Sequence, residues 1–108
     1  MEKPLQIIIK QSALDDLEVQ YHFYAENYSL DYAEKFRLDF FKEIRKILPN
    51  PLKFSECRFL PTKNKVYRNI VWNNYLIIFK IKKTSVDVLL LHHTKQHPKK
   101  LKAARRVK

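Results

Sequence analysis

VYRNIVWNNYLIIFKIKKTSVDVLLLH, residues 66–92, decides the fold. Three runs rich in β-branched and aromatic residues, Val66–Val71, Tyr75–Ile81 and Val86–His92, are separated by Asn73-Asn74 and by Lys82–Ser85. Runs of this length and composition read as strands, and the polar pieces between them as turns. Strands joined by such short turns must be antiparallel. The chain has no glycine, so positions with positive φ are expected on asparagine, which tolerates that region best after glycine.

Upstream, the hydrophobic period lengthens from that of a strand to that of a helix. Leu5–Ile9 (LQIII) reads as one more short strand. Ser12 then reads as a helix N-cap, with Asp15 completing a capping box. Leu14, Leu17, Tyr21 and Tyr24 form one apolar stripe, and Asn27 is the expected end. Ser29 caps a second helix, with Asp31 near the positive end of its dipole. Its stripe is Ala33, Phe36, Phe40, Ile44 and Ile47, and Pro49-Asn50-Pro51 stops it. The expected architecture is α+β in the order β-α-α-β-β-β, a helical hairpin packed on one face of a small antiparallel sheet. With no internal repeat in 108 residues, 1–108 reads as a single domain with a basic tail from about residue 95.

Hydrophobic residues make up 45% of the chain, enough for a globular core and too much for a disordered one. The single cysteine, Cys57, excludes an internal disulfide and reads as an ordinary buried or half-buried thiol. No secretory leader is visible, and Tyr75–Phe79 and Val88–Leu91 are too short to span a bilayer, so the expectation is a cytoplasmic protein with no membrane partner. Charge is more informative. Residues 1–56 balance at −2, whereas residues 57–108 carry fourteen Lys/Arg against Asp87 alone, a balance of +13. Such one-sidedness points to a polyanionic partner, either nucleic acid or an acidic protein segment.

Taken in order, LPNP at residues 48–51, VYRNIVWNNYLIIFKI at 66–81, VDVLLLHH at 86–93 and HTKQHPKKL at 93–101 make nearly the whole chain similar to the RelE/ParE toxins. Tyr67-Arg68 before the Tyr75 strand and His93-Thr94-x-Gln96 after the last one are the most specific pieces. The resemblance implies the toxin half of a type II toxin–antitoxin pair, of the plasmid-stabilisation type, neutralised by a cognate acidic antitoxin. RelE-like members cut mRNA on the ribosome, and ParE-like members poison DNA gyrase. The chemistry therefore has to come from residues.

Metal-free RNA cleavage needs a base on the ribose 2′-OH, a cation on the phosphorane and an acid for the leaving oxygen. It calls for no cofactor and no metal. The resemblance places Arg68 where RelE-like enzymes keep a catalytic arginine, and a guanidinium suits phosphate oxygens. His92, His93 and His97 cluster where the last strand meets the tail. Alternation puts His92 and His93 on opposite faces, and His93 is the expected ligand-facing one. Lys95 is a further catalytic candidate, and Glu56 a weaker candidate base. Lys63, Lys65, Arg68, Lys95, Lys99 and Lys100 are the expected nucleic-acid contacts. Trp72 is expected to anchor the strand pair rather than stack on a base, and His22 has no assigned role. Several family members carry two or more arginines around the end of the last strand and a tyrosine in the tail; here those places read Lys95, Gln96 and His97, and no tyrosine follows Tyr75. The expected activity is a ribosome-dependent mRNA endoribonuclease. Gyrase inhibition is the alternative, and a plain nucleic-acid-binding module a third.

Overall fold

A computed structural model of the chain describes residues 5–48, 50–96 and 98–107. His97 and the side chain of Lys100 fall outside the described residues. The order is β1 (Gln6–Ile9), α1 (Gln11–Asn27), α2 (Leu30–Arg45), β2 (Tyr67–Trp72), β3 (Tyr75–Ile81) and β4 (Ser85–His93), with a 3₁₀ helix at Pro98–Arg106. The four strands lie in the order β1-β4-β3-β2.

The sheet is mixed, which corrects the expectation of an antiparallel one: β2, β3 and β4 form an antiparallel meander, but β1 runs parallel to β4. No hairpin turn fixes the direction of β1. It reaches β4 only through the long excursion of α1, α2, β2 and β3, and a long crossover is what a parallel pair requires. In the tight β2–β3 turn Asn73 adopts φ 52°, as the lack of glycine demands. The other left-handed residue among the described ones is Lys65, not an asparagine.

The two helices start differently. Ser29 Oγ accepts from Tyr32 N at 3.0 Å, so the second cap forms as its sequence requires. The first does not: Lys10 occupies the N-cap, and Ser12 Oγ donates instead to Leu89 O at 2.6 Å. The reason is tertiary. β1 is too short to pair β4 beyond Val88, and α1 takes over its edge. Lys10 N donates to Val88 O, Ser12 serves Leu89 O, and Asp16 Oδ2 accepts from Leu91 N at 3.0 Å. A central strand's backbone groups must be paired, and here helix side chains pair them.

Phe36, Phe40, Ile44 and Ile47 are buried against Ile70, Trp72, Ile77 and Phe79, making the core between helices and sheet. Fully burying one such side chain stabilises the fold by ~1.5–3 kcal/mol. The opposite face carries a second, smaller core. Residues 50–66 strap across it and the 3₁₀ helix closes it, burying Cys57, Leu60, Ile78, Leu89, Leu101 and Ala104. The basic tail is therefore partly structural, since Leu101 and Ala104 seat it on the sheet. With both faces covered, β4 reads as a nearly continuous apolar run instead of an alternation.

A β-bulge interrupts the β3–β4 register: Ile78 faces Leu90, but Phe79 faces Val88. Leu89 is the extra residue, so the parity of β4 changes along its length. Val86 and Val88 face the helices, Leu89 and Leu90 both face away, and Leu91 faces the helices again. Everything after the bulge, the two histidines included, is swapped from the face that simple alternation from Val86 assigns.

Candidate functional site

The open end of the far sheet face holds a cleft of about 340 Å³. Its floor is Val71, Leu76 and Phe59, and its polar groups are Glu56, Arg58, Asn69, His92 and Thr94. The strap delivers Glu56 and Arg58. Cys57 N donates to Tyr67 O and Asn69 N to Ser55 O, so the strap adds a short irregular strand to the edge of β2. Strand alternation on β2 turns Tyr67, Asn69 and Val71 to this side, and the bulge turns His92 to it. Glu56 has a buried carboxylate oxygen, Oε2, that meets no hydrogen-bond donor among the described residues. Leaving a buried acceptor unmatched costs roughly 1–3 kcal/mol. Beside it, the Arg58 guanidinium stands over the Phe59 ring at 4.9 Å.

Arg68 lies on the other side of β2. Its Nη1 donates to Phe54 O at 2.7 Å and to Leu52 O at 3.1 Å, and its Nε donates to Lys65 O at 3.2 Å. The guanidinium thus clamps both ends of the strap that carries Glu56 and Arg58. Among the described residues it forms no carboxylate pair, and it does not line the cleft that His92 lines. His93 also faces the helices. Its ring packs edge-on against Tyr75 at 4.9 Å, and its Nδ1 accepts from Lys95 N at 3.0 Å. Lys95 contributes backbone to that turn while its side chain is exposed. The register places Arg68, opposite Phe79, far along the sheet from His93, which lies opposite Tyr75 and is bonded to Lys95 N, and the cleft brings together Glu56 and His92. Lys63, Lys65 and Lys99 are exposed on the strap and tail. Trp72 is buried against Phe36, as a strand anchor should be. His22 pairs with Glu18 on the solvent side of α1.

Sequence reasoning missed Arg58, Phe59 and Asn69 as a set. The segment 52–65 has no periodicity, and nothing in it announces that it crosses the sheet. Asn69 was legible in retrospect as a polar residue at an alternating position of a strand.

Three comparisons bear on this arrangement. The family described as "ParE toxin of type II toxin-antitoxin system, parDE" matches residues 7–98. That span is most of the chain and includes both helices, β2 to β4 and all of β1 but its first residue. The chain belongs to the ParE toxin family. Among solved structures, it is similar to a chain of the chromosomal ParDE toxin–antitoxin system from P. aeruginosa, with TM-score 0.72 and 14% identity, covering 85% of this chain and 98% of that one. At that identity the likeness speaks for the fold. No curated protein matches the chain.

Two further features of this ParE toxin limit its chemistry. Burial pushes the Cys57 thiol upward, against the opposing pull of backbone N–H groups of Phe59 and Leu60, so it is a protonated core residue and not a nucleophile. Burial likewise raises the Tyr75 phenol, helped by its hydrogen bond with Tyr24 OH at 2.7 Å, so it stays protonated at neutral pH and donates to Gln20 Oε1 at 2.9 Å. Where α1 meets α2, the toxin exposes an apolar and aromatic patch, Phe23 (49%), Tyr28 (68%), Leu30 (61%) and Tyr32 (48%), with Tyr28 and Tyr32 stacked at 5.5 Å. Among the described residues, no helix is long and apolar enough to cross a membrane.

Proposed function

We propose that this ParE toxin acts by binding, as an inhibitor of DNA gyrase, and that a cognate antitoxin with an acidic segment holds it in check. The observation that carries this reading is the engagement of Arg68. The arginine that RNA cleavage would place on a phosphate donates to three backbone carbonyls, and His93, with Lys95 bonded to it, lies well along the sheet from it. The exposed aromatic patch adds support, because contiguous apolar surface of this kind serves protein–protein contact. The +13 half of the chain suits an acidic antitoxin, whose opposite charge speeds association. Both partners place the protein in the cytoplasm.

The test is a supercoiling assay with purified gyrase and toxin. Expected are loss of supercoiling, accumulation of cleaved DNA, and weaker inhibition by Tyr28→Ala/Tyr32→Ala, with no new 5′ ends in translated mRNA. Unaffected gyrase together with new mRNA ends would sink the proposal in favour of a second reading, the ribosome-dependent endoribonuclease. One observation favours that alternative: a carboxylate, a histidine and an arginine share the cleft. Glu56 would take the 2′-OH proton, Arg58 would face the phosphorane and His92 would protonate the leaving 5′-oxygen.

A further inference from the structure

We infer that the cleft on the open sheet face is a guanine site, which takes the base edge-on to Glu56. The inference concerns binding and holds whichever macromolecule the toxin attacks. Three requirements fall on a ligand here. It must bring N–H donors, because Glu56 Oε2 is a buried acceptor with no donor among the described residues. It must be flat and largely apolar on its faces, because Phe59, Val71 and Leu76 make the floor apolar. It must also offer an acceptor, because Arg58 and the Asn69 amide bring donors to the same space. The volume, about 340 Å³, lies at the small end of the ~300–1,000 Å³ span of small-ligand sites, the size of a single nucleotide rather than a peptide.

Of the four bases only guanine presents two adjacent donors, N1–H and N2–H₂, beside an acceptor, O6. A carboxylate accepts from both donors at once. Adenine and cytosine set a ring-nitrogen acceptor against one carboxylate oxygen, and uracil sets a carbonyl against it. A cationic side chain from a partner would satisfy Glu56 but would bring a positive charge against Arg58, in a chain of net charge +11. A nucleotide has no such conflict. Its phosphate carries the opposite charge to Arg58 in the cleft and to the strap and tail, where Lys63, Lys65, Lys102 and Arg105 are exposed. In this assignment Glu56 reads a base edge, so it is not the proton acceptor of the nuclease alternative.

The experiment titrates the full chain with GMP, AMP, CMP and UMP by calorimetry and by amide chemical shifts, with N-acetylarginine amide as the cationic rival. GMP is expected to bind about tenfold or more tighter than AMP, since a correctly read base edge discriminates by at least roughly that factor. Shifts should centre on residues 56–59, 69–71 and 92–94. Glu56→Gln keeps the shape but replaces an acceptor with a donor, and should abolish the preference while the cooperative melt persists. If that variant fails to fold, the nucleotide series on the wild-type chain decides alone. Short single-stranded RNA and DNA, each with one guanine and each compared with its adenine counterpart, separate the two sources of the base. Binding far tighter than GMP assigns the site to an exposed guanine in a strand, and parity with GMP assigns it to a free nucleotide. Equal affinity for all four nucleotides, no binding of GMP or guanine strands at millimolar concentration, or occupancy by the arginine probe instead of GMP would each overturn the inference.

Discussion

Replacing Arg68 by alanine should unfold the strap before it affects anything else. The guanidinium makes three hydrogen bonds to carbonyls, at 2.7, 3.1 and 3.2 Å. A hydrogen bond from a charged donor contributes about 1.5–3 kcal/mol when shielded and less in contact with water. The bond to Phe54 O is part-buried, and those to Leu52 O and Lys65 O are exposed. Counting the first at about 1.5 kcal/mol and the others at about 0.5 kcal/mol each gives a loss of roughly 2.5 kcal/mol. For a domain of this size that corresponds to a fall in Tm of roughly 10 °C. Differential scanning calorimetry on wild type, Arg68→Ala and Arg68→Lys is the direct assay. Lysine keeps the charge but cannot reach three carbonyls with one ammonium, so it should recover less than half the loss. Amide exchange should show the opening concentrated in residues 52–66. An Arg68→Ala chain that melts within about 3 °C of wild type yet has lost toxicity would refute this account and return Arg68 to the chemistry.

Two other perturbations test the frame around the site. Asp87 is 1% exposed, Lys82 Nζ lies 2.7 Å away and Lys10 Nζ 3.7 Å, and Ser85 Oγ donates at 2.8 Å. Burial pushes its carboxyl up, but the hydrogen bonds from Lys82 and Ser85 and the two lysine charges outweigh it and hold the group below the usual carboxylate range. A depressed pKa means stability that is present above the unfolded-state value and is lost as pH falls through the folded one. Asp87→Asn should therefore cost about 3 kcal/mol near neutral pH, the low end for a broken buried pair because both lysines can reach water, and the gap should narrow below about pH 4 in chemical denaturation. A gap that stays constant down to pH 2 would contradict it. Lys65, at φ 52°, bears a left-handed strain that glycine lacks, so Lys65→Gly should raise stability by about 0.5–1 kcal/mol, read as a Tm rise of a few degrees. A fall would show that the Lys65 side chain contributes something its exposure does not reveal.

The elements were legible where local chemistry acts alone. The meander Tyr67–His93 follows from three β-rich runs and two short turns, and α2 from its Ser29 cap and from a stripe of which every member, Ala33 to Ile47, is buried. Ser12 shows the limit. Its capping pattern is genuine, yet a β4 carbonyl offers a better partner than the free amides of the first turn. A hydrogen-bonding side chain responds to whichever unpaired group the fold brings within reach, and the sequence does not record that.

From the residues themselves come the family, the α+β layout, the basic second half and the opposite orientation of His92 and His93. Tertiary structure alone decided which histidine meets the cleft, because one bulged residue, Leu89, reverses the parity of everything after it. It also turned Arg68 toward backbone carbonyls and set Glu56 and Arg58 beside Asn69, because an aperiodic strap is placed by the core it covers and not by any pattern of its own.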